Sequence, residues 1–170
     1  MSKRYYCGQP NETIVNKTIC IKGWIKKIRK MGSITFLDVA DRYGVVQVVV
    51  DDKINIKNLT RESVVSIDGV VILRKTANDK LSTGKVEIKA TKLEVLSYAK
   101  TTPLIIEDET DALEDIRLKY RFLDLRRNCV RNKLFFRSKF IHAIRDYLIK
   151  NDFVDVETPT LAKPTPEGAR

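Results

Sequence analysis

The sequence predicts a mainly β fold with α: a small five-stranded barrel over residues 1–100, an acidic hinge at 101–120, and a helix–strand unit opening a second domain at 121–170. Three observations predict it. Short β-branched runs broken by turn formers fill the first hundred residues. An acidic, proline-containing stretch follows them, and a sustained apolar stripe at helical spacing comes next.

The first strand is expected over residues 18–30, where Ile19, Ile21 and Ile25 alternate with Lys22 and Lys26. Gly23 lies among them, at a point where a barrel strand must bend. Met31-Gly32-Ser33 is the turn. A second strand, 33–40, puts Leu37 and Val39 on one face and Ile34, Phe36 and Asp38 on the other. Asp41-Arg42-Tyr43-Gly44 turns the chain into a third strand, 45–50, apolar except for Gln47. A helix-like segment at 54–62 precedes strands at 63–74 and 85–97, and the polar turn formers of 75–84 mark a rim loop between them. Five strands with a helix between the third and fourth is the order of an OB-fold, a barrel whose strand two and three face and rim loops bind oligonucleotides.

Residues 98–115 change character. Thr101-Thr102-Pro103 breaks regular structure, and Glu107, Asp108, Glu109, Asp111, Glu114 and Asp115 make the stretch acidic. Residues 117–127 suit a short helix. Phe136, Phe140, Ile144, Tyr147 and Leu148 then recur at three- and four-residue intervals, predicting a helix over 131–150 with one apolar face. A strand at 153–157 ends at Pro159, which cannot donate to a sheet ladder and so favours an edge or interface. His142, the only histidine, shares a helix face with Ser138 and Asp146. A mid-helix serine lacks the exposed turn and oxyanion donors that nucleophilic catalysis uses, so a surface histidine paired with Asp146 is expected.

Thirty-two Lys and Arg against 22 Asp and Glu give a net charge of +10, which points to a polyanionic partner. RNA, DNA and acidic membrane all fit that sign. No apolar run approaches the roughly 18 to 20 residues of a membrane span, and the first residues lack a signal-peptide core. A soluble, cytoplasmic protein without a membrane partner is expected. The three cysteines, Cys7, Cys20 and Cys129, have neither the parity of a disulfide framework nor C-x-x-C spacing, so reduced thiols and no metal site are expected.

Four barrel residues stand out. Phe36 shares a face with Asp38, so its ring is either a platform for an unpaired base, at about 1 to 3 kcal/mol, or an ordinary half-buried aromatic. Gln47 interrupts a valine run, and its amide either finds partners inside or points outward. Glu87 puts a carboxylate beside a basic surface, suited to accepting hydrogen bonds from a guanine edge, or simply pairs with Lys85 or Lys89. Arg29 belongs to a basic strand end with Lys26, Lys27 and Lys30, which by itself reads as a solvated edge.

The ordered motifs Tyr6-Cys7-Gly8-Gln9, Gly23-Trp24, Gly32-Ser33, Asp41-Arg42 and Val46-Gln47-Val48 run through the barrel. Residues 117–127, Val156-Glu157-Thr158-Pro159 and Thr165-Pro166-Glu167-Gly168-Ala169-Arg170 follow them. Taken together they resemble the bacterial-type aspartyl-tRNA synthetases, class II enzymes, from the anticodon-binding barrel through the first motif of the catalytic domain. The resemblance implies that Phe36 stacks on the central uracil of the anticodon and Gln47 bonds its edge. It implies that Glu87 reads the first-position guanine, that Arg29 contacts the loop, and that the 75–84 loop closes over it through Asn78. In the catalytic half it implies that residues 163–169 form a lid in which Glu167 holds the substrate ammonium. Pro159 and the long helix would meet a second subunit in a homodimer.

The parent enzyme so implied condenses aspartate with ATP, using Mg2+, and transfers the aspartyl group to tRNA(Asp). Motifs 2 and 3, which carry the ATP-binding arginines of the family, have no counterpart here. The chain therefore reads as the front part of a longer enzyme, without catalytic residues of its own and unable to activate aspartate alone. Departures from the family pattern occur at Ala40, Ile28 and Asn128-Cys129. Lysyl and asparaginyl enzymes share the barrel and helix–strand unit but differ in the loop at 163–170. A non-enzymatic OB-fold binder of single-stranded nucleic acid is the reading from another class, and it does not account for that loop.

Overall fold

The computed structural model describes residues 2–161. They divide between Thr102 and Pro103 into two compact units. The first holds six strands, of which β2 to β6 form a five-stranded barrel: β1 (Lys3–Tyr5), β2 (Thr18–Met31), β3 (Ile34–Asp41), β4 (Gly44–Asp51), β5 (Val64–Leu73) and β6 (Val86–Ser97). Their order in the sheet is β1-β2-β3-β4-β6-β5, and pairing of β2 with β5 closes it.

Strand β2 makes closure work because it pairs twice, Thr18 to Trp24 with β5 and Trp24 to Met31 with β3. It changes partner at Trp24, next to Gly23, and bulges between Ile25 and Lys27. A Cβ on Gly23 would collide with the Ala40 carbonyl, so the strands approach there only because glycine has no side chain. Inward residues of every strand meet in one core, with Ile21, Ile25, Leu37, Val39, Val65 and Ile67 fully buried. Burying each such aliphatic side chain contributes about 1.5 to 3 kcal/mol.

The five expected strands are β2 to β6. The short β1, which runs parallel to β2 from Lys3↔Ile19 to Tyr5↔Ile21, is additional. The helix expected at 54–62 does not form. Asp51 and Asn55 accept from the backbone of Lys53 and Lys57 in successive turns, and Asn58 and Glu62 take φ of 63° and 67°, outside the helical range. Side-chain oxygens compete with helical bonds in such a segment. Ile54, Ile56 and Leu59 still pack on the core, so apolar spacing there reflects a plug of turns.

The second unit holds α1 (Glu114–Lys119), α2 (Arg121–Asp124) and α3 (Asn128–Ile149), so the single helix expected over 117–127 is two. Helix α3 starts three residues earlier than the stripe predicts. Its first turn receives an acid from far along the chain: Asp108 Oδ1 accepts from the Cys129 N–H at 2.8 Å. That backbone bond holds the Asp108 carboxyl below the usual carboxylate range and matches the positive end of the helix dipole. Arg127 ties the same junction together, bonding Asp124 at 2.7 Å and the carbonyls of Glu107 and Asp108.

The strand expected at 153–157 does not form: these residues have no sheet pairing, and no strand exists among the described residues of this unit to offer them an edge. Pro159 is exposed, as are Phe136, Phe140 and Tyr147 of the α3 stripe. No helix among the described residues is long and apolar enough to cross a membrane. Glu167 and the expected lid at 163–169 lie outside the described residues.

Candidate nucleic-acid interface

Register fixes which side chains share the outer face of the barrel. On β3 and β4, Asp38 lies opposite Gln47 and Phe36 opposite Val49. On β2, Lys27 lies opposite Asp38 and Arg29 opposite Phe36. Strand β6 runs parallel to β4, pairing Ile88 with Val48, and so sets Glu87 beside Gln47.

Gln47 is 5% exposed and Glu87 9%, so both polar groups must be bonded. The Gln47 amide nitrogen donates to Glu87 Oε2 at 2.6 Å. Its oxygen accepts from Arg29 Nη2 and Arg74 Nη2, each at 3.0 Å. Two guanidinium donors on the oxygen and a carboxylate on the nitrogen allow one orientation of the amide. Arg29 Nη2 also donates to Asp38 at 2.8 Å, and its guanidinium lies 6.0 Å from the Phe36 ring centroid. Phe36 is half-buried, with the ring facing the same groove.

Arg29, Phe36, Gln47, Arg74 and Glu87 line an open groove of about 550 Å³, walled further by Met31, Ile34 and Ile72 and rimmed by Lys75 and Lys89. The volume falls within the roughly 300 to 1,000 Å³ of small-molecule sites, room enough for an unstacked base. The groove offers an aromatic face, a fixed amide, a carboxylate and two guanidiniums. That is the set needed to stack a base and read its edge while attracting phosphate.

Arg29, Phe36, Gln47 and Glu87 are therefore brought together from four strands. Asn78 is not. Its Oδ1 accepts from the Lys80 N–H at 3.1 Å within the 75–84 loop, which is closed by Asn78 N to Gly84 O at 3.0 Å and Gly84 N to Leu81 O at 2.9 Å. The loop is anchored on β4 through Thr83 Oγ1 to Val45 O at 2.6 Å and presents Lys75 and Thr76 to the groove. Arg74 and Asp38 were not singled out from the sequence as site residues. The one signal for Arg74 is a cation at the end of the apolar β5, and for Asp38 its place on the face of Phe36.

Elsewhere, His142 lies 3.4 Å from Asp146 with both side chains exposed, and no hydrogen bond joins Ser138 to it among the described residues. Burial pushes the Cys7 thiol well above the ordinary thiol range, with the Asp41 carboxylate adding to the effect. All three cysteines are free. No group of three His, Cys, Asp or Glu that could hold a metal ion occurs among the described residues.

Two family models match the chain. An OB-fold nucleic-acid-binding domain matches residues 19–96, and the class II tRNA synthetases of the D, K and N type match residues 113–170. The aspartate--tRNA ligase of Ureaplasma parvum is 50% identical over 172 residues, covering 98% of this chain and 30% of its own. That of Geobacillus kaustophilus is 43% identical over 178 residues, covering 100% and 30%. The chain thus spans about 30% of the length of the curated relatives it matches. Among solved structures, asparaginyl-tRNA synthetase from Pyrococcus horikoshii superposes with a TM-score of 0.72 at 26% identity, over 94% of this chain and 37% of that one. Aspartyl-tRNA synthetase from Entamoeba histolytica reaches 0.77 at 24% identity, over 94% and 40%, a likeness of fold.

Proposed function

From a chain that belongs to the class II aspartyl-tRNA synthetase family, we propose that the barrel reads the anticodon of tRNA(Asp) for an aspartate–tRNA ligase acting in the cytoplasm. The observation that carries the reading is the Gln47 amide, fixed by Arg29 and Arg74 on one side and Glu87 on the other beside the Phe36 ring.

An anticodon loop presents splayed bases, and each part of the groove suits one step of their capture. Phe36 stacks on the central uracil. Gln47, its orientation locked, bonds the uracil edge, and the Glu87 carboxylate accepts from the guanine that precedes it. Arg29 and Arg74 hold the amide and offer positive charge to the backbone, while Lys75 and Lys89 at the rim strengthen attraction without reading sequence.

In the whole protein, aspartate would be activated with ATP, with Mg2+ neutralising the phosphates, and passed to tRNA. The residues described here hold no donor set for the metal, so no step is assigned to them. The exposed stripe of α3 and Pro159 suit burial against a second subunit of a homodimer, and Glu167 suits capture of the aspartate ammonium.

The test is binding of this chain to a stem-loop bearing GUC, against loops with the first G or the central U replaced, at fixed salt. A loss of about 1 to 3 kcal/mol per replaced base supports the reading. Equal binding to every loop would make the barrel a charge-driven RNA binder.

A further inference from the structure

Rings and cations also gather on the barrel away from the groove. Further back along β2, a hollow of about 360 Å³ is lined chiefly by Arg4, Tyr6, Lys22, Trp24, Arg42 and Val64. A neighbouring hollow of about 530 Å³, lined by Lys3, Tyr5 and Gln9, shares Arg4 and Tyr6 with it. Neither has a residue in common with the groove. On β2 itself, Trp24 comes before Arg29 by about 15 Å of strand. We propose that this face is a second nucleic-acid site, a sequence-tolerant track for an unpaired RNA strand. Its bases stack on Trp24 and Tyr6, and its phosphates meet Arg4, Lys22 and Arg42.

Asp41 assembles the face. Its Oδ2 accepts from the Cys7 N–H at 2.8 Å, and its Oδ1 accepts from the N–H groups of Tyr43 at 2.7 Å and Gly44 at 3.2 Å. These bonds tie the segment after β1 to the turn between β3 and β4, where the Tyr6 and Tyr43 ring centroids come to 4.3 Å. They also engage the Asp41 carboxylate, which therefore does little to offset the cations around it. Among the described residues no ion pair engages Arg4, Lys22 or Arg42. Cation and ring alternate across the surface. The Arg4 guanidinium lies 5.5 Å from the Tyr6 centroid, that of Arg42 4.8 Å from Tyr43, and the Lys3 ammonium 5.6 Å from Tyr5.

That alternation selects the ligand. Trp24, Tyr6 and Tyr43 are exposed, and exposed rings interleaved with cations suit a partner that is both flat and anionic. A nucleotide is such a partner. A single phosphate needs one or two cations, whereas Lys3, Arg4, Lys22 and Arg42 are spread over two adjoining hollows, which matches the repeating charge of a strand. The groove has the buried amide of Gln47 and carboxylate of Glu87 to read base edges. Here Arg4, Lys22, Arg42 and Gln9 are all exposed, so stacking and charge dominate and every base is accepted.

Trp24 is the only tryptophan of the chain, so its emission reports on this face. Titration with a labelled oligouridylate about twelve nucleotides long, at fixed low salt, should quench Trp24 to saturation in step with the anisotropy of the label. Phe36→Ala should keep that quench, because the groove lies elsewhere. The double variant Arg4→Gln, Arg42→Gln, altered at two exposed positions, should bind about tenfold more weakly and lower the slope of log K against log salt by about two. Tyr6→Ala should cost about fivefold or more. Binding without a change in Trp24 emission overturns the proposal, as does failure of the strand to bind. A quench lost in Phe36→Ala, or unaltered in the double variant, overturns it too. AMP quenching as strongly at equal nucleotide concentration would make the face a mononucleotide pocket and overturn the strand. Stem-loops bound without base preference would sink the anticodon reading and leave this result standing.

Discussion

Gln47 donates to Glu87 at 2.6 Å across strands that are parallel neighbours in the barrel but 40 residues apart in the chain. The bond makes the two residues one unit, because the amide cannot turn over without losing Glu87 and both guanidiniums. Replacing Glu87 with Gln keeps the volume but removes the charged acceptor. The Glu87→Gln chain should lose about 1 to 3 kcal/mol of preference for guanine at the first position, read from stem-loop binding. Gln47→Ala should in addition destabilise the barrel by about 1 to 3 kcal/mol in urea unfolding, since buried partners lose their bonds.

Phe36 stands on the outer face, with the core residues Leu37 and Thr35 on either side pointing in. Phe36→Ala should therefore weaken stem-loop binding by about 1 to 3 kcal/mol. The same titration with Phe36→Tyr should stay close to the unmodified chain, because the platform is retained.

Gly23 lies one residue before β2 changes partner, and a methyl group there meets the Ala40 carbonyl. Gly23→Ala should destabilise the barrel by about 1 to 3 kcal/mol in thermal or urea unfolding, the cost of forcing extra volume into close packing. Gly32, which has open space around the added carbon but φ of 61°, should show a smaller strain from the same substitution.

Cys7 is fully buried, and burial first, then the Asp41 carboxylate, raises its thiol above the ordinary range. The unfolded chain loses this proton near the free-thiol value of about 8.5 while the folded chain keeps it. Below that pH the contribution to stability is complete, and it declines as pH rises above it. Cys7→Ser should flatten the alkaline decline in unfolding experiments. In the native chain, a thiol reagent should modify the exposed Cys129 quickly and Cys7 only at the rate of opening.

Arg127 is 7% exposed and Asp124 1%, and they bond at 2.7 Å. Arg127→Ala leaves the Asp124 charge buried with one partner fewer and frees the carbonyls of Glu107 and Asp108. A loss of about 3 to 5 kcal/mol is expected for the second unit, measured by hydrogen exchange of α3 amides.

The strands of the barrel were readable in the sequence because alternation is a local property: Ile19, Ile21 and Ile25 point inward wherever the strand lies. The groove was readable only in part. Phe36, Gln47 and Glu87 attract notice because each sits awkwardly on an otherwise regular strand. Arg74 does not, since an arginine at a strand end looks ordinary until it reaches Gln47, 27 residues away. Asn78 looked like a closing residue, yet the loop spends its side chain on its own turn.

By itself the sequence determined the strand periodicity, the acidic break, the amphipathic helix and the family resemblance, all carried by short-range pattern or motif. Only the tertiary structure decided the rest. Pairing of β2 with β5 closes the barrel, the turns at 54–62 plug it without a helix, Asp108 caps α3, and four strands converge on one amide. These depend on contacts between residues far apart in the chain. Such contacts are fixed by steric fit and by the need to bond every buried polar group, which no local window of sequence expresses.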